Sequence, residues 1–129
     1  MGKKDVLQTV LTDSAAIPQG HYSQAIIHNN VVYVAMQIAI DPHLGVVYGT
    51  SGEQAKVALT NIKNILESAG SSLNRVLRVT VYISDISMWN EVNEVYKEFF
   101  GNHKPARGVV SVNKLHLDLD VGFEVTAAI

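Results

Sequence analysis

Arg107 is the residue of this sequence whose chemistry most needs an explanation. It lies in the segment KPARGVV, residues 104–110, between a proline and an apolar run that predicts a buried strand. A guanidinium keeps its charge and presents a planar fork that suits a carboxylate or a phosphate. Because burying it unpaired costs several kcal/mol, the spacing alone favours an ordinary salt bridge to Glu91, Glu94 or Asp120 over a bound ligand.

The other residue types that could do chemistry form no recognisable site. The chain has no cysteine, which excludes a thiol nucleophile, a thiolate metal site and a disulfide. It also lacks a Gly-x-Ser-x-Gly motif and a glycine-rich phosphate loop. None of the five histidines has the spacing of a metal pair with a carboxylate nearby, so we predict no metal site; they are His21, His28, His43, His103 and His116.

The composition predicts one ordinary globular domain spanning residues 1–129. It is 47% hydrophobic and 17% charged, with a net charge of -2. This balance gives no basic footprint for nucleic acid. No apolar run reaches the length of a membrane span or a signal peptide, so we expect a cytoplasmic protein without a membrane partner.

Two amphipathic helices stand out along the chain. The first is predicted to begin with SGEQ, residues 51–54, which has the pattern of a capping box, and to end at Gly70. The second is predicted to begin near Ser87 and to end at Gly101. Each carries apolar residues on one face, so each must pack against something else.

Six β-branched segments predict strands, in the order β-β-β-α-β-α-β-β. This order favours an α+β fold in which both helices cover one face of a single sheet. Along the third strand, Val32, Val34, Met36 and Ile38 are predicted on one side and Val31, Tyr33 and Ala35 on the other, so both sides are apolar. We therefore expect a homo-oligomer in which a second subunit covers the sheet face opposite the helices. The alternative is that this face is partly exposed to solvent in a monomer. The predicted strands are residues 5–11, 24–29, 31–39, 75–84, 108–113 and 121–129.

Five segments of the chain form an ordered series: GHYSQA at 20–25, VAMQIAIDP at 34–42, EQAKVALTNIKNILESAGSSLNRVLRVTVYISD at 53–85, NEVYKEFF at 93–100 and KPARGVVSV at 104–112. This series resembles the RidA/YjgF family, also called the L-PSP family. That resemblance implies a chorismate-mutase-like α+β fold, a homotrimer, and three small-molecule pockets between adjacent subunits. It also implies hydrolysis of reactive 2-enamino and 2-imino acids, such as 2-aminoacrylate, to 2-keto acids and ammonia without any cofactor.

The resemblance also assigns roles to particular residues. It implies that Arg107 holds the carboxylate of the substrate, which reverses the salt-bridge interpretation. Tyr22 matches the tyrosine of the family's pocket, and Asn93 matches the asparagine that begins the NEVY motif. An imine is already electrophilic, so such a site needs mainly a fixed orientation and a placed water.

Three motif positions depart from the deaminating members. Where those members read Ser-Gly-Gln, this chain reads AMQ at residues 35–37, and where they read Arg-Ser-Cys it reads RGV at 107–109. Where their last strand supplies a glutamate that helps to place the attacking water, this chain has Gly122. The backbone groups of Met36, Val109 and Gly122 remain able to bind a carboxylate, whereas the identity of a catalytic side chain stays unknown.

Three functions follow as hypotheses. The first is a RidA-like hydrolase of 2-imino or 2-enamino acids. The second is a non-catalytic trimer that binds a small carboxylate or regulates a partner protein, as the three departures suggest. The third, a ribonuclease, is disfavoured because the chain is slightly acidic and lacks a basic stripe with aromatic residues.

Overall fold

A computed structural model describes residues 6–129 of the chain. These residues form a six-stranded sheet, a separate two-stranded hairpin and two α-helices. The large sheet contains β1 (Gln8–Val10), β2 (Ala25–His28), β3 (Val31–Gln37), β6 (Val76–Ile83), β7 (Ala106–Ser111) and β8 (Val121–Ala128). The hairpin is β4 (Ile40–Asp41) with β5 (Gly45–Val46), and the helices are α1 (Ser51–Ser68) and α2 (Trp89–Phe100).

The sheet is mixed, in the strand order β1-β2-β3-β8-β6-β7. Every neighbouring pair is antiparallel except β6 and β7, which are parallel and joined through α2. Both helices pack on the same face, where Leu59 and Ile62 of α1 and Tyr96 of α2 join Phe123 of β8 in one buried cluster. The predicted α+β fold, with its six strands and two helices on one face, is confirmed.

The strand prediction for the N-terminus was too long. Strand β1 covers only Gln8–Val10, and the first residue of the predicted segment, Asp5, lies outside the described residues. The segment after β3, for which no strand is predicted beyond residue 39, contains the β4–β5 hairpin. Its turn is held by Asp41, whose Oδ1 accepts hydrogen bonds from the backbone N–H groups of His43 (2.8 Å) and Leu44 (2.9 Å).

The capping box of α1 lies one residue earlier than predicted. Thr50 is the N-cap: its hydroxyl accepts from the N–H of Glu53, and its own N–H donates to Glu53 Oε1 at 2.8 Å. The threonine and the glutamate satisfy each other's backbone donors, which the serine–glutamine pair of residues 51–54 does not do. The helix ends before Gly70, whose φ of +85° is the left-handed conformation that glycine adopts without strain.

Strand β3 contains a bulge that changes which face Met36 occupies. Val34 pairs with Val125 and Gln37 with Phe123, so β3 has one more residue than β8 between these pairs. Gln37 is therefore buried with Val34, while Met36 lies on the open face of the sheet with 39% of its surface exposed. The prediction that Met36 shares a face with Val32 and Val34 was wrong for this reason.

The face of the sheet opposite the helices carries a mixture of side chains. Tyr33, Met36 and Val110 are exposed there, and Tyr82 and Glu124 lie beside them. The strand pattern is consistent with this, because Phe123 and Val125 of β8 are buried while Glu124 is exposed. In residues 6–129 no helix is both long and apolar enough to cross a membrane.

Candidate functional site

Arg107 lies at one edge of the sheet and reaches towards α2. It pairs in parallel register with Val79, a core residue under the helices, so its side chain also leaves β7 on the helix side. The guanidinium carbon lies 4.6 Å from the ring centroid of Trp89 and 4.7 Å from that of Tyr96. Its Nη1 donates to Asn93 Oδ1 at 3.0 Å. Trp89, Asn93 and Tyr96 follow one another at helical spacing and so present one face of α2 to the cation.

None of the three carboxylates considered as salt-bridge partners reaches Arg107. Glu91 instead accepts hydrogen bonds at the start of α1, from the N–H of Gly52 and the hydroxyl of Ser51. Glu94 pairs with Lys97 at 3.4 Å, and Asp120 pairs with Lys114 at 2.7 Å. Among residues 6–129, the guanidinium is thus held by aromatic faces and an amide, which leave its charge without a counter-ion.

A cavity of about 670 Å³, which we call the arginine cavity, opens beside this group. Its lining includes Arg107, Asn93 and Tyr96 together with the cations Lys97 and Lys104. Lys97 is partly compensated by Glu94, but Arg107 and Lys104 still give this concave surface a positive charge that attracts small anions. The arginine cavity is therefore electrostatically suited to a ligand that carries a carboxylate.

Tyr96 forms the inner wall of the arginine cavity. It is only 5% exposed, and its hydroxyl has no hydrogen-bond partner among the described residues. Burial raises the pKa of the Tyr96 hydroxyl, and the charge of Arg107 opposes that shift. The phenol therefore stays neutral at physiological pH and supports Arg107 through its ring.

Tyr22 and Met36 line a second cavity, of about 440 Å³, which we call the tyrosine cavity. Most of its wall is apolar, with Ile17, Ile38 and Ile40 among the lining residues. The tyrosine side chain is 54% exposed at its rim. A cavity of this kind suits an uncharged or apolar group, in contrast to the arginine cavity.

Gly122 lies directly behind Met36 on the open face. A Cβ atom at position 122 would lie 2.7 Å from Leu115 Cδ2 and 3.0 Å from Met36 Sδ. Both distances are shorter than a van der Waals contact, so Met36 and Leu115 occupy the space that a side chain at position 122 would need. The glycine on β8 and the methionine on β3 are thus sterically matched.

The predicted site residues fall into two groups within one chain. Arg107 and Asn93 line the arginine cavity, whereas Tyr22 and Met36 line the tyrosine cavity with Gly122 behind them. Val109 lines neither cavity: its side chain is half-buried and packs against the core. Strand β7 is an edge strand, separated from β3 by β8 and β6, so one chain does not bring the two groups together.

Sequence reasoning missed the roles of three residues. Trp89 and Tyr96 lie on the apolar face of α2, and only the position of Arg107 shows that they also stack on a cation. His116 was considered only as a possible metal ligand, yet it lines the tyrosine cavity. Its position six residues before Gly122, in the loop that leads into β8, was the signal available in the sequence.

Comparisons with known proteins place the chain in a family. Residues 12–129 match the family described as Endoribonuclease L-PSP. A RutC family protein of Pyrococcus abyssi is 47% identical over 121 residues, which are 93% of this chain and 95% of that protein. This chain belongs to the RidA/YjgF family. The human 2-iminobutanoate/2-iminopropanoate deaminase is a RidA/YjgF relative that is 36% identical over 123 residues, 95% of this chain and 90% of the human protein.

Solved structures agree with the RidA/YjgF assignment. A putative endoribonuclease of Thermotoga maritima superposes with a TM-score of 0.92 at 41% identity, covering 95% of this chain and 97% of that one. TdcF of E. coli, solved with bound serine, superposes with a TM-score of 0.91 at 31% identity, covering 95% and 98%. The relatives also include a mitochondrial yeast protein that is 40% identical over 121 residues, so a cytoplasmic location stays a prediction.

Proposed function

We propose that this protein is a deaminase that hydrolyses reactive 2-imino or 2-enamino acids to 2-keto acids and ammonia. The observation that carries the proposal is Arg107, whose charge has no carboxylate partner among residues 6–129 and which faces a cavity with two further cations. Such a guanidinium is preorganised to hold the carboxylate shared by 2-imino acids and their 2-keto products.

The reaction needs little more than orientation and a water molecule. The carboxylate binds to the Arg107 fork, which fixes the neighbouring imine carbon relative to the cavity wall. Water adds to that carbon to form a carbinolamine, and the C–N bond then breaks to release ammonia and leave the keto group. A neutral imine and one water therefore give one keto acid and one ammonia, with no oxidant and no cofactor in the balance.

We also propose that the complete site forms between two subunits of a homotrimer. The arginine cavity lies on the helix side of the β7 edge, whereas Met36 and Gly122 lie on the open face of the sheet. If β7 of one subunit packs beside the open face of the next, one carboxylate ligand can contact Arg107 of one chain and Tyr22 of the other. This arrangement also covers the exposed Tyr33, Met36 and Val110.

The names of the relatives support the same chemistry. The human relative is a deaminase of 2-iminobutanoate and 2-iminopropanoate, two small 2-imino acids. TdcF was solved with bound serine. Serine, like a 2-imino acid, carries its nitrogen on the carbon next to the carboxylate. A small 2-imino acid is accordingly the substrate class that we propose for this chain.

The proposal is tested by measuring ammonia release while an amino-acid oxidase generates the imine in place. We expect the wild-type protein to exceed the spontaneous rate and Arg107→Ala to lose kcat/KM by on the order of 10²-fold or more, because removing one partner of a desolvated charge pair costs about 2–5 kcal/mol. Arg107→Lys should retain only part of the wild-type kcat/KM, since an ammonium lacks the planar fork of a guanidinium. The matched control is Arg75→Ala, because Arg75 is exposed and, within residues 6–129, its side chain donates only to the carbonyl of Ile129.

A second candidate is a non-catalytic member that binds small carboxylates or regulates a partner protein. One observation favours it: position 122 is a glycine and carries no acidic side chain, and Met36 and Leu115 fill the space beside it. Titration calorimetry with a 2-keto acid separates the two functions. Binding that depends on Arg107, with no acceleration of imine hydrolysis, would establish the binding function and refute the deaminase.

A further inference from the structure

We propose that His116 is the proton-transfer group of this site, an inference that rests on the proposed deaminase function. Its side chain lines the tyrosine cavity together with Tyr22 and Met36. A deaminase must move protons between water, the imine nitrogen and the departing ammonia, and an imidazole can both accept and donate them. The loop before β8 thereby supplies the polar chemistry that Gly122 does not.

His116 is held at the cavity by a closed loop. The N–H of Leu115 donates to the carbonyl of Leu119 at 3.0 Å, and the hydroxyl of Tyr48 donates to the carbonyl of Leu117 at 2.9 Å. Leu117 and Asp118 have φ values of +61° and +65°, a left-handed conformation that aspartate tolerates but that is strained for leucine. Such strain persists where surrounding contacts fix the backbone and is found most often at functional sites.

The tyrosine cavity offers no rival for this role among the described residues. Of the described residues that line it, only Tyr22 and His116 carry an acidic or basic side chain. Gln37 is 5% exposed, and its amide, which already donates to the carbonyl of Ala35 at 3.2 Å, does not exchange protons as a base would. Histidine is the residue type that changes protonation state near neutral pH, which is what proton shuttling requires.

The proposed steps balance without any other reactant. The neutral imidazole accepts a proton from water as the water oxygen bonds to the imine carbon and the C=N electron pair moves to nitrogen. The imidazolium then returns that proton to the nitrogen, giving the carbinolamine. In the second half, the imidazole accepts the hydroxyl proton and passes it to the amino group, the C–N bond breaks, and ammonia leaves as the C=O bond forms.

Several charged or titratable groups surround His116, and their effects on the pH dependence of the rate must be distinguished from that of His116. Lys114, Tyr82 and Glu124 share an adjoining cavity with the imidazole, Tyr22 lies on its other side, and Asp118 follows two residues later. Lys114 is already paired with Asp120 at 2.7 Å. A feature of the wild-type pH–rate profile is therefore attributed to His116 only if that feature is lost when His116 is substituted.

The experiment compares wild-type protein with His116→Gln and His116→Ala, using imine hydrolysis and calorimetric binding of a 2-keto acid. We expect both variants to keep the fold and the keto-acid affinity while kcat falls by roughly 10²- to 10⁴-fold. The pH–rate profile of His116→Gln should differ in shape from that of the wild-type protein, because an amide does not exchange protons as an imidazole does. Added free imidazole should partly restore His116→Ala, which a structural role would not produce. His43→Gln, in the β4–β5 turn, is the control and should stay fully active.

The outcomes separate the inference from the function on which it rests. An active wild-type protein with an equally active, folded His116→Gln variant would overturn the role of His116 and leave the deaminase intact. Loss of keto-acid affinity with unchanged kcat would also overturn it, because the residue would then act in binding. Absence of any acceleration by the wild-type protein would overturn the deaminase function, and the inference with it.

Discussion

Met36 and Gly122 behave as one unit, because the side chain of the first fills the volume that a side chain on the second would need. Sequence comparison with the family finds two separate departures at these positions. A Cβ atom at position 122 would lie 3.0 Å from Met36 Sδ, so a side chain there would require the methionine to move. A substitution at either residue should accordingly be judged by its effect on the other.

This coupling predicts the result of a double-mutant cycle. Gly122→Glu alone should destabilise the protein, by about 1–3 kcal/mol if Met36 and Leu115 are forced from their places. In the Met36→Gly background the same change should cost less, with an interaction free energy of at least about 0.5 kcal/mol. Urea denaturation of the four proteins measures this difference. Strict additivity would show that position 122 is not restricted by Met36.

Tyr96 allows a second prediction at the level of one atom. Because its buried hydroxyl has no partner among residues 6–129, Tyr96→Phe should leave the free energy of unfolding unchanged or raise it by up to about 1 kcal/mol. The control is Tyr48→Phe, which removes a hydroxyl that donates to the carbonyl of Leu117 and should lower stability. If Tyr96→Phe is clearly the less stable of the two variants, the Tyr96 hydroxyl has a partner in solution.

Spacing could not predict the environment of Arg107. Glu91, Glu94 and Asp120 lie at plausible separations in sequence, but each is taken by a nearer group in space. The family resemblance replaced the salt-bridge interpretation of Arg107, and the described residues contain no such salt bridge. The carboxylate-binding role that the resemblance gives to Arg107 stays a proposal. Residue types alone do not say which face of β7 the arginine leaves, because that depends on its register with β6.

Among the elements, the N-terminus of α1 is the junction between the two helices. Glu91, in the first turn of α2, accepts hydrogen bonds from the N–H of Gly52 and the hydroxyl of Ser51. A carboxylate at this position satisfies a backbone donor and opposes the positive end of the helix dipole. The Gly52 N–H, and after it the Ser51 hydroxyl, lower the pKa of Glu91 below its usual value.

The lowered pKa of Glu91 predicts how stability depends on pH. A carboxyl group with a lower pKa in the folded state stabilises the fold above its unfolded pKa, and this contribution is lost as pH falls through the folded value. Glu91→Gln should thus be less stable than wild type at pH 7, and the difference should vanish well below pH 4. Urea denaturation at both pH values tests this. Glu98→Gln, on the same helix, is the control; a gap that persists in acid would contradict the ionic explanation.

The sequence predicted the types and order of the main elements better than their ends. Both helices and the six principal strands were found, because apolar periodicity and glycine stops depend on local chemistry. The capping box was predicted one residue too late, because threonine and serine are adjacent at positions 50 and 51 and both residue types are common N-caps. The bulge in β3 was missed, since no glycine or proline marks it and only its pairing with β8 defines it.

In the whole molecule, the proposed site requires more than one copy of the chain. The arginine cavity and the tyrosine cavity lie on different sides of the sheet and on strands that are not neighbours. A small carboxylate is too short to contact both within one chain. The trimer is therefore part of the proposed mechanism and not only a means of covering apolar side chains.

A subunit-mixing experiment tests this arrangement. One inactive chain carries Arg107→Ala, and the other carries Tyr22→Ala with His116→Ala. In randomly mixed cyclic trimers, about a quarter of the interfaces should combine the two unmodified halves, so roughly a quarter of wild-type activity should return. Ammonia release before and after co-refolding measures the recovery. Mixed trimers without any recovery would place the whole site within one chain.

The bulge in β3 makes this part of the chain more sensitive to its length than to its composition. Strict alternation from Val34 would turn Met36 towards the core and Gln37 towards the open face, so the extra residue in the bulge determines which face each of them occupies. A substitution at position 36 changes only the shape of the cavity wall. Relatives can therefore vary the residue at this position while the number of residues in β3 stays fixed, and an alignment gap here would indicate a remodelled sheet.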